Sequence, residues 1–194
     1  SSMKPEYEYE VIKDCQNGNM ERFGELYDEY LDKIYRFVYY RTLHKQTAED
    51  ITQETFFKAM RNMSAVDPSK KFSSWLYKIA YNTVVDSYRA KKITVDINEL
   101  SDLADNTDLA RDIDRREVFK KVAESLEKLS DAQRDIVVMR IWDEMSYREI
   151  ADVVGKDEGN CKVIFSRAIA KLREVAPRAI AVMCIILLNK VIKL

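Results

Sequence analysis

Ser146-Tyr147-Arg148-Glu149-Ile150-Ala151-Asp152-Val153-Val154-Gly155, continued through Asn160-Cys161-Lys162 to Leu172, is the stretch from which the rest of the chain can be read. Ser146 and Glu149 have the spacing of a capping box, in which a hydroxyl and a carboxylate satisfy the free amides of a first helical turn. Ile150, Ala151 and Val154 then form one apolar side, Gly155 stops the helix, and another starts by Glu158. Two helices that cross closely need a small residue at the contact and a turn residue that accepts a left-handed angle. Ala151 and Gly155 supply these, and Cys161 fills the small apolar position that locks the second helix in place. The pattern predicts a helix-turn-helix over 146–172. Its second helix carries Asn160, Lys162, Ser166, Arg167 and Lys171 outward, side chains suited to phosphates and base edges. Helical pairs of this pattern also occur in cores with no DNA role.

Upstream, Ser130-Asp131-Ala132-Gln133 forms a second capping box before Ile136, Val137, Ile141 and Trp142, and Val118 or Phe119, Val122, Leu126 and Leu129 give a preceding apolar face. Residues 93–112 change character: Asp96, Glu99, Asp102, Asp105, Asp108 and Asp112 stand against Arg111, with unperiodic leucines, which reads as an acidic linker. Before it, Met20, Phe23, Tyr27, Ile34 and Phe37 or Val38 follow helical spacing. Thr47, with Asp50 three residues on, suits the cap of a further helix with Ile51, Thr55, Ala59 and Met63 on its inner face. Pro68 marks 65–71 as an exposed loop. Beyond it, Trp75 or Leu76, Ile79 or Ala80, Thr83 or Val84 and Tyr88 restore the stripe. The expected class is all-α: a first unit over 1–92, a linker over 93–112, a helix-turn-helix unit over 113–176 and an apolar helical tail over 177–194.

Composition narrows the function. Apolar residues make up 46% and charged residues 34% of the 194, with 4 Gly and 3 Pro, as in folded helical proteins. The 32 basic residues against 33 acidic ones lack the excess of a free-standing DNA binder, so any DNA contact must use locally basic faces or a partner's phosphate contacts. Cys15, Cys161 and Cys184 have neither disulfide nor zinc spacing and fit a reducing cytosol. His44 is the single histidine, so neither a His-based metal site nor a Ser-His-Asp triad can be assembled; no cofactor and no catalysis are expected. Ser1-Ser2-Met3-Lys4 lacks a secretory core, and 179–188 is about half of the roughly 20 residues that span a bilayer, so the expectation is a cytoplasmic chain without membrane insertion.

Two further surfaces fall in the first unit. Lys70, Lys71, Lys78 and Arg89 lie with Trp75, Tyr77, Tyr81 and Tyr88 on one loop and one helix, the basic and aromatic mixture of single-strand binding. Trp75 sits on the apolar stripe and reads as core, whereas Tyr77 and Tyr81 lie off it. Asp50, Gln53, Glu54 and Thr55 make an acidic and polar strip with nothing nearby to complete a metal or acid-base site, so it is a solvated face or a protein-docking one.

Asp50-Ile51-Thr52-Gln53-Glu54-Thr55-Phe56 followed by Phe72-Ser73-Ser74-Trp75-Leu76-Tyr77-Lys78-Ile79-Ala80-Tyr81-Asn82 resembles region 2 of extracytoplasmic-function sigma factors of the sigma-70 family. Leu129-Ser130-Asp131-Ala132-Gln133-Arg134, Ser146 to Ala151 and Lys171-Leu172-Arg173-Glu174 resemble region 4, in the family's order, and the likeness covers about 23–174. The resemblance implies a promoter-recognition subunit of RNA polymerase. Asp50, Gln53, Glu54 and Phe56 would dock on the clamp helices of the beta-prime subunit, and the second unit would meet the beta flap. The 65–71 loop and the helix with Lys78, Tyr81, Asn82, Asp86 and Arg89 would melt the minus-ten element and hold an extruded base. The helix from Cys161 to Lys171 would read the minus-thirty-five element, and the linker would thread the polymerase channel. An anti-sigma factor is the implied regulator. The chain departs from the family where Val163-Ile164-Phe165 replaces a small polar residue and an arginine, and in its tail. A free-standing DNA-binding regulator is the alternative reading, and a helical interaction module a weaker one; the Asp50 to Phe56 strip favours the polymerase subunit, because a free regulator has no use for it.

Overall fold

A computed structural model describes residues 3–94 and 122–175, and every regular element within them is helical. The order is α1 (Pro5–Gln16), a short turn at Met20–Arg22, α2 (Phe23–Thr42), α3 (Lys45–Arg61), a second turn at Met63–Ala65 and α4 (Phe72–Thr94). After the break come α5 (122–127), α6 (Asp131–Ile141), α7 (Tyr147–Val154) and α8 (Glu158–Val175). Helix α4 runs two residues into the stretch read as a linker; the rest of that linker, Val118, Phe119 and the 177–194 tail lie outside the described residues.

In the first unit α2, α3 and α4 pack around Ile34, Phe37, Ile51, Ala59, Leu76, Ala80 and Val84, which periodicity marks, and around Leu26, which takes the core place expected of Tyr27. Helix α1 has no counterpart in the sequence reading. It buries only Val11, Ile12 and Cys15, too few to make a visible stripe, and is held by side chains instead. Tyr30 donates its hydroxyl to Glu8, Arg22 pairs with Asp14, and the Gln16 amide donates to the carbonyls of Met63 at 3.1 Å and Val66 at 2.8 Å, fixing the entry to the 66–71 loop.

Helix α3 starts earlier than expected. His44 rather than Thr47 caps it: its Nδ1 accepts the Thr47 amide at 3.1 Å, following a left-handed Leu43 at φ 55° that turns the chain out of α2. Tyr77, read as lying off the stripe, is 1% exposed and packs edge-on against Phe37 with centroids 5.4 Å apart, while Trp75 is half-buried against Phe72. A stripe drawn through Leu76 and Ala80 is wide enough to take in Tyr77, and Trp75 sits at its rim.

In the second unit both capping boxes form, at Ser130 with Gln133 and at Ser146 with Glu149. Gly155 ends α7 at φ 68°, in the region a glycine enters without steric cost, and Ala151 and Cys161 are buried where α7 meets α8. Val153 takes the core place expected of Val154, which is half-buried.

The two units share one hydrophobic core. Helix α2 packs on α6 and α4 on α7, with the Tyr40 and Trp142 rings 5.1 Å apart. Arg36 reaches Asp143 at 2.8 Å. Arg41 is buried between Asp131 at 2.7 Å and Asp135 at 2.8 Å, and Arg134 donates from Nη1 to the Arg41 carbonyl at 3.1 Å.

Candidate docking face and nucleic-acid interface

On α3 the inner arc of Ala48, Ile51, Thr52, Thr55 and Ala59 leaves Asp50, Gln53, Glu54, Phe57 and Met60 outward. Glu54 pairs with Lys58 at 2.8 Å, and Asp50 accepts from Gln46 at 3.1 Å, so the acidic strip is tethered yet solvated. Phe56, counted with this strip from the sequence, points the other way: it is 4% exposed, with its ring 4.7 Å from Tyr27. Phe57 is the outward aromatic at 54% exposure, with the Arg61 guanidinium 5.6 Å from its ring centre. A helical wheel through Ile51, Thr55 and Ala59 already separates the two phenylalanines.

Lys78, Asn82, Asp86 and Arg89 fall on one exposed face of α4, at steps of four, four and three residues, with Tyr81 half-buried on its flank. Burial, reinforced by Asp135, raises the Tyr81 hydroxyl above its ordinary pKa. In the loop, Asp67 accepts from the Ser69 hydroxyl at 2.6 Å and its amide at 3.0 Å, and these bonds lower its carboxyl pKa. Lys70 lies 3.8 Å from Asp67. Lys71 instead bridges to the second unit, 2.7 Å from the Glu149 carboxylate of the α7 capping box. Burial pushes Glu149 up, but Lys71 and Ser146 outweigh it and hold the group below its usual value.

Helix α8 exposes Asn160, Lys162, Ser166, Arg167 and Lys171, all five of the expected outward residues. Asp157 accepts the Asn160 amide at 2.7 Å and so closes the first turn. Lys162 is drawn back by Glu158 at 2.7 Å and lies 5.8 Å from the Tyr147 ring centre. The structure thus gathers the candidates into three surfaces: an outer strip on α3, a loop-and-helix face on α4, and the outward face of α8. It also shows what sequence reasoning missed, the ion cluster between the units in which buried Arg41, Arg134 and Asp135 meet the exposed Asp131. Asp131, Arg134 and Asp135 share the first turns of α6, but no spacing rule links them to Arg41 some ninety residues earlier. Among the described residues no helix is long and apolar enough to cross a membrane.

Comparison with known proteins agrees with this architecture. The family model for sigma-70 region 2 matches residues 26–93, and that for sigma-70 region 4 matches 119–172. The ECF RNA polymerase sigma factor SigW of Bacillus subtilis is 31% identical over 174 residues, covering 84% of this chain and 93% of SigW. BldN of Streptomyces coelicolor, also an ECF RNA polymerase sigma factor, is 32% identical over 173 residues, covering 87% of this chain but 65% of BldN. The fold is that of the sigma factor RpoE from Bartonella quintana, solved with the anti-sigma factor NepR, at a TM-score of 0.66 and 22% identity over 80% of this chain and 97% of that one. With both regions present in order, on helices that form the expected units, the chain belongs to the ECF RNA polymerase sigma factors of the sigma-70 family.

Proposed function

We propose that the chain directs RNA polymerase core to promoters from the cytoplasm, without catalysis of its own, and that its three surfaces divide the work. Asp50, Gln53, Glu54 and the outward Phe57 dock on the beta-prime clamp helices, with Phe57 taking the role expected of Phe56. Lys70, Lys71, Lys78, Tyr81, Asn82, Asp86 and Arg89 hold the melted minus-ten strand. Asn160, Ser166, Arg167 and Lys171 of α8, with Lys162, meet the minus-thirty-five duplex while the unit sits near the beta flap. The observation that carries the reading is the α3 strip: carboxylates and an exposed aromatic side by side on a helix whose opposite side is fully packed. Aromatic side chains are enriched at interfaces and charged groups line their rims, which suits such a pairing to docking.

The 1–92 and 113–176 boundaries follow as functional units. Lys71 pairs with Glu149 of the second unit while staying largely exposed, so the pair ties the loop to α7 without covering it. The complex of the Bartonella quintana protein with NepR supports an anti-sigma factor as regulator. Asp50→Arg with Glu54→Arg tests the docking face, since exposed charges contribute little to stability but oppose a basic surface when reversed. Fluorescence anisotropy should show at least a tenfold loss of affinity for core polymerase at an unchanged melting temperature; unchanged affinity would remove the docking assignment.

A further inference from the structure

Three apolar residues, Val163, Ile164 and Phe165, follow one another on the DNA-facing helix α8. Two are explained by packing. Phe165 is half-buried with its ring 5.8 Å from Tyr147, and Ile164 is half-buried against the core. Val163 is 47% exposed, the one large hydrophobic side chain so exposed among the described residues of the second unit. Its place is central rather than marginal. Cys161, Ala168 and Leu172 define the buried side, and Val163 lies opposite them, between Lys162 and Arg167 and one turn from Asn160 and Ser166. Local helix preference does not favour it, because a β-branched side chain on a solvated helix costs several tenths of a kcal/mol relative to alanine.

The floor of the major groove offers such a side chain one complementary feature. Phosphates, ring nitrogens, carbonyls and exocyclic amines are all polar, and the thymine C5-methyl is the apolar group displayed there. We infer that Val163 is a specificity-determining residue that contacts a thymine methyl in the minus-thirty-five element, and so selects an A·T pair at one position. The inference rests on the assignment of α8 to that element and adds the identity of a base it reads. The retraction of Lys162 onto Glu158 and Tyr147 agrees with it, because it clears the centre of the helix face for a short side chain.

The test uses the full chain bound to core polymerase. A minus-thirty-five library is first selected with this holoenzyme, and each thymidine of the selected element, on either strand, is then replaced by deoxyuridine, which removes the methyl and nothing else. At one position the replacement should weaken wild-type binding about fourfold, the value of one buried methyl-sized group. Val163→Ala, which favours the helix and keeps the fold, should bind thymidine and deoxyuridine forms equally. Equal sensitivity in both proteins, insensitivity in both, or a selected element with no fixed A·T pair overturns the inference. Weaker binding of Val163→Ala to core polymerase without DNA also overturns it and makes the residue a protein contact. Arg167→Ala separates the underlying assignment: if it leaves the selected element bound as tightly as before, α8 does not read this DNA at all.

Discussion

Asp135 shows what a single buried carboxylate does at the joint between the units. It is 2% exposed, and burial pushes its pKa up to about 7 against the pull of Arg41, with Asp131 adding to the rise and Arg134 opposing it. Its pKa in the unfolded chain is about 4, so between these values the folded protein holds a proton that the unfolded one has released. The stability this group contributes is therefore full below about pH 4 and is lost as pH rises through about 7. Asp135→Asn stays neutral throughout. The melting temperature of the wild type minus that of the variant should fall from pH 5 to pH 8; a flat or widening gap would mean that the carboxylate stays ionised against Arg41 at every pH. Little of this is visible in the sequence, where Asp135 looks like one more helix-surface charge. Phe56 and Phe57 make the opposite case: adjacent and chemically identical, they are told apart by helical phase alone.

At the scale of elements, the chain's own punctuation predicts well where a start or stop has a local cause. The boxes at Ser130 and Ser146 and the stop at Gly155 depend on bonds within a few residues, and all three form. Ser146→Ala should cost about 1 kcal/mol, as caps generally do. For Gly155→Ala an added Cβ meets nothing within 4 Å, so the cost is the left-handed backbone angle alone, about 1 kcal/mol or slightly more. Gly155→Asn should recover part of it, because asparagine tolerates that angle. Thermal denaturation of the three variants checks both values, and a neutral Gly155→Ala would mean that the α7–α8 turn rearranges freely. Helix α1 and the His44 cap are harder to read, since α1 is held by contacts to Glu25, Tyr30, Met63 and Val66, and a histidine cap is an uncommon choice.

For the whole molecule, the units share an apolar core and are latched in addition by polar groups that belong to neither unit's own stripe. Arg41 is the pivot, bonded to Asp131 and Asp135 with its guanidinium 5.4 Å from the Tyr88 ring centre. Arg41→Ala removes the bonds to Asp131 and Asp135 and lets Asp135 hold its proton rather than stay charged, a loss of about 1–3 kcal/mol at the joint, as for a buried polar group left unbonded. The variant should show a larger radius of gyration and faster proteolysis between the units, with each unit's helices intact by circular dichroism. An unchanged radius would place the latch elsewhere. Near-neutral net charge fits a subunit that meets DNA within a larger assembly rather than alone.

Run-off transcription with RNA polymerase core, with and without the full chain, on a library of promoters randomised at both elements puts the central claim to the test. Transcripts should arise only when the chain is present and start from a subset of templates sharing two fixed elements. Polymerase that gives no chain-dependent transcript, while the chain alone binds promoter duplex, would contradict the assignment and make it a free-standing DNA-binding regulator.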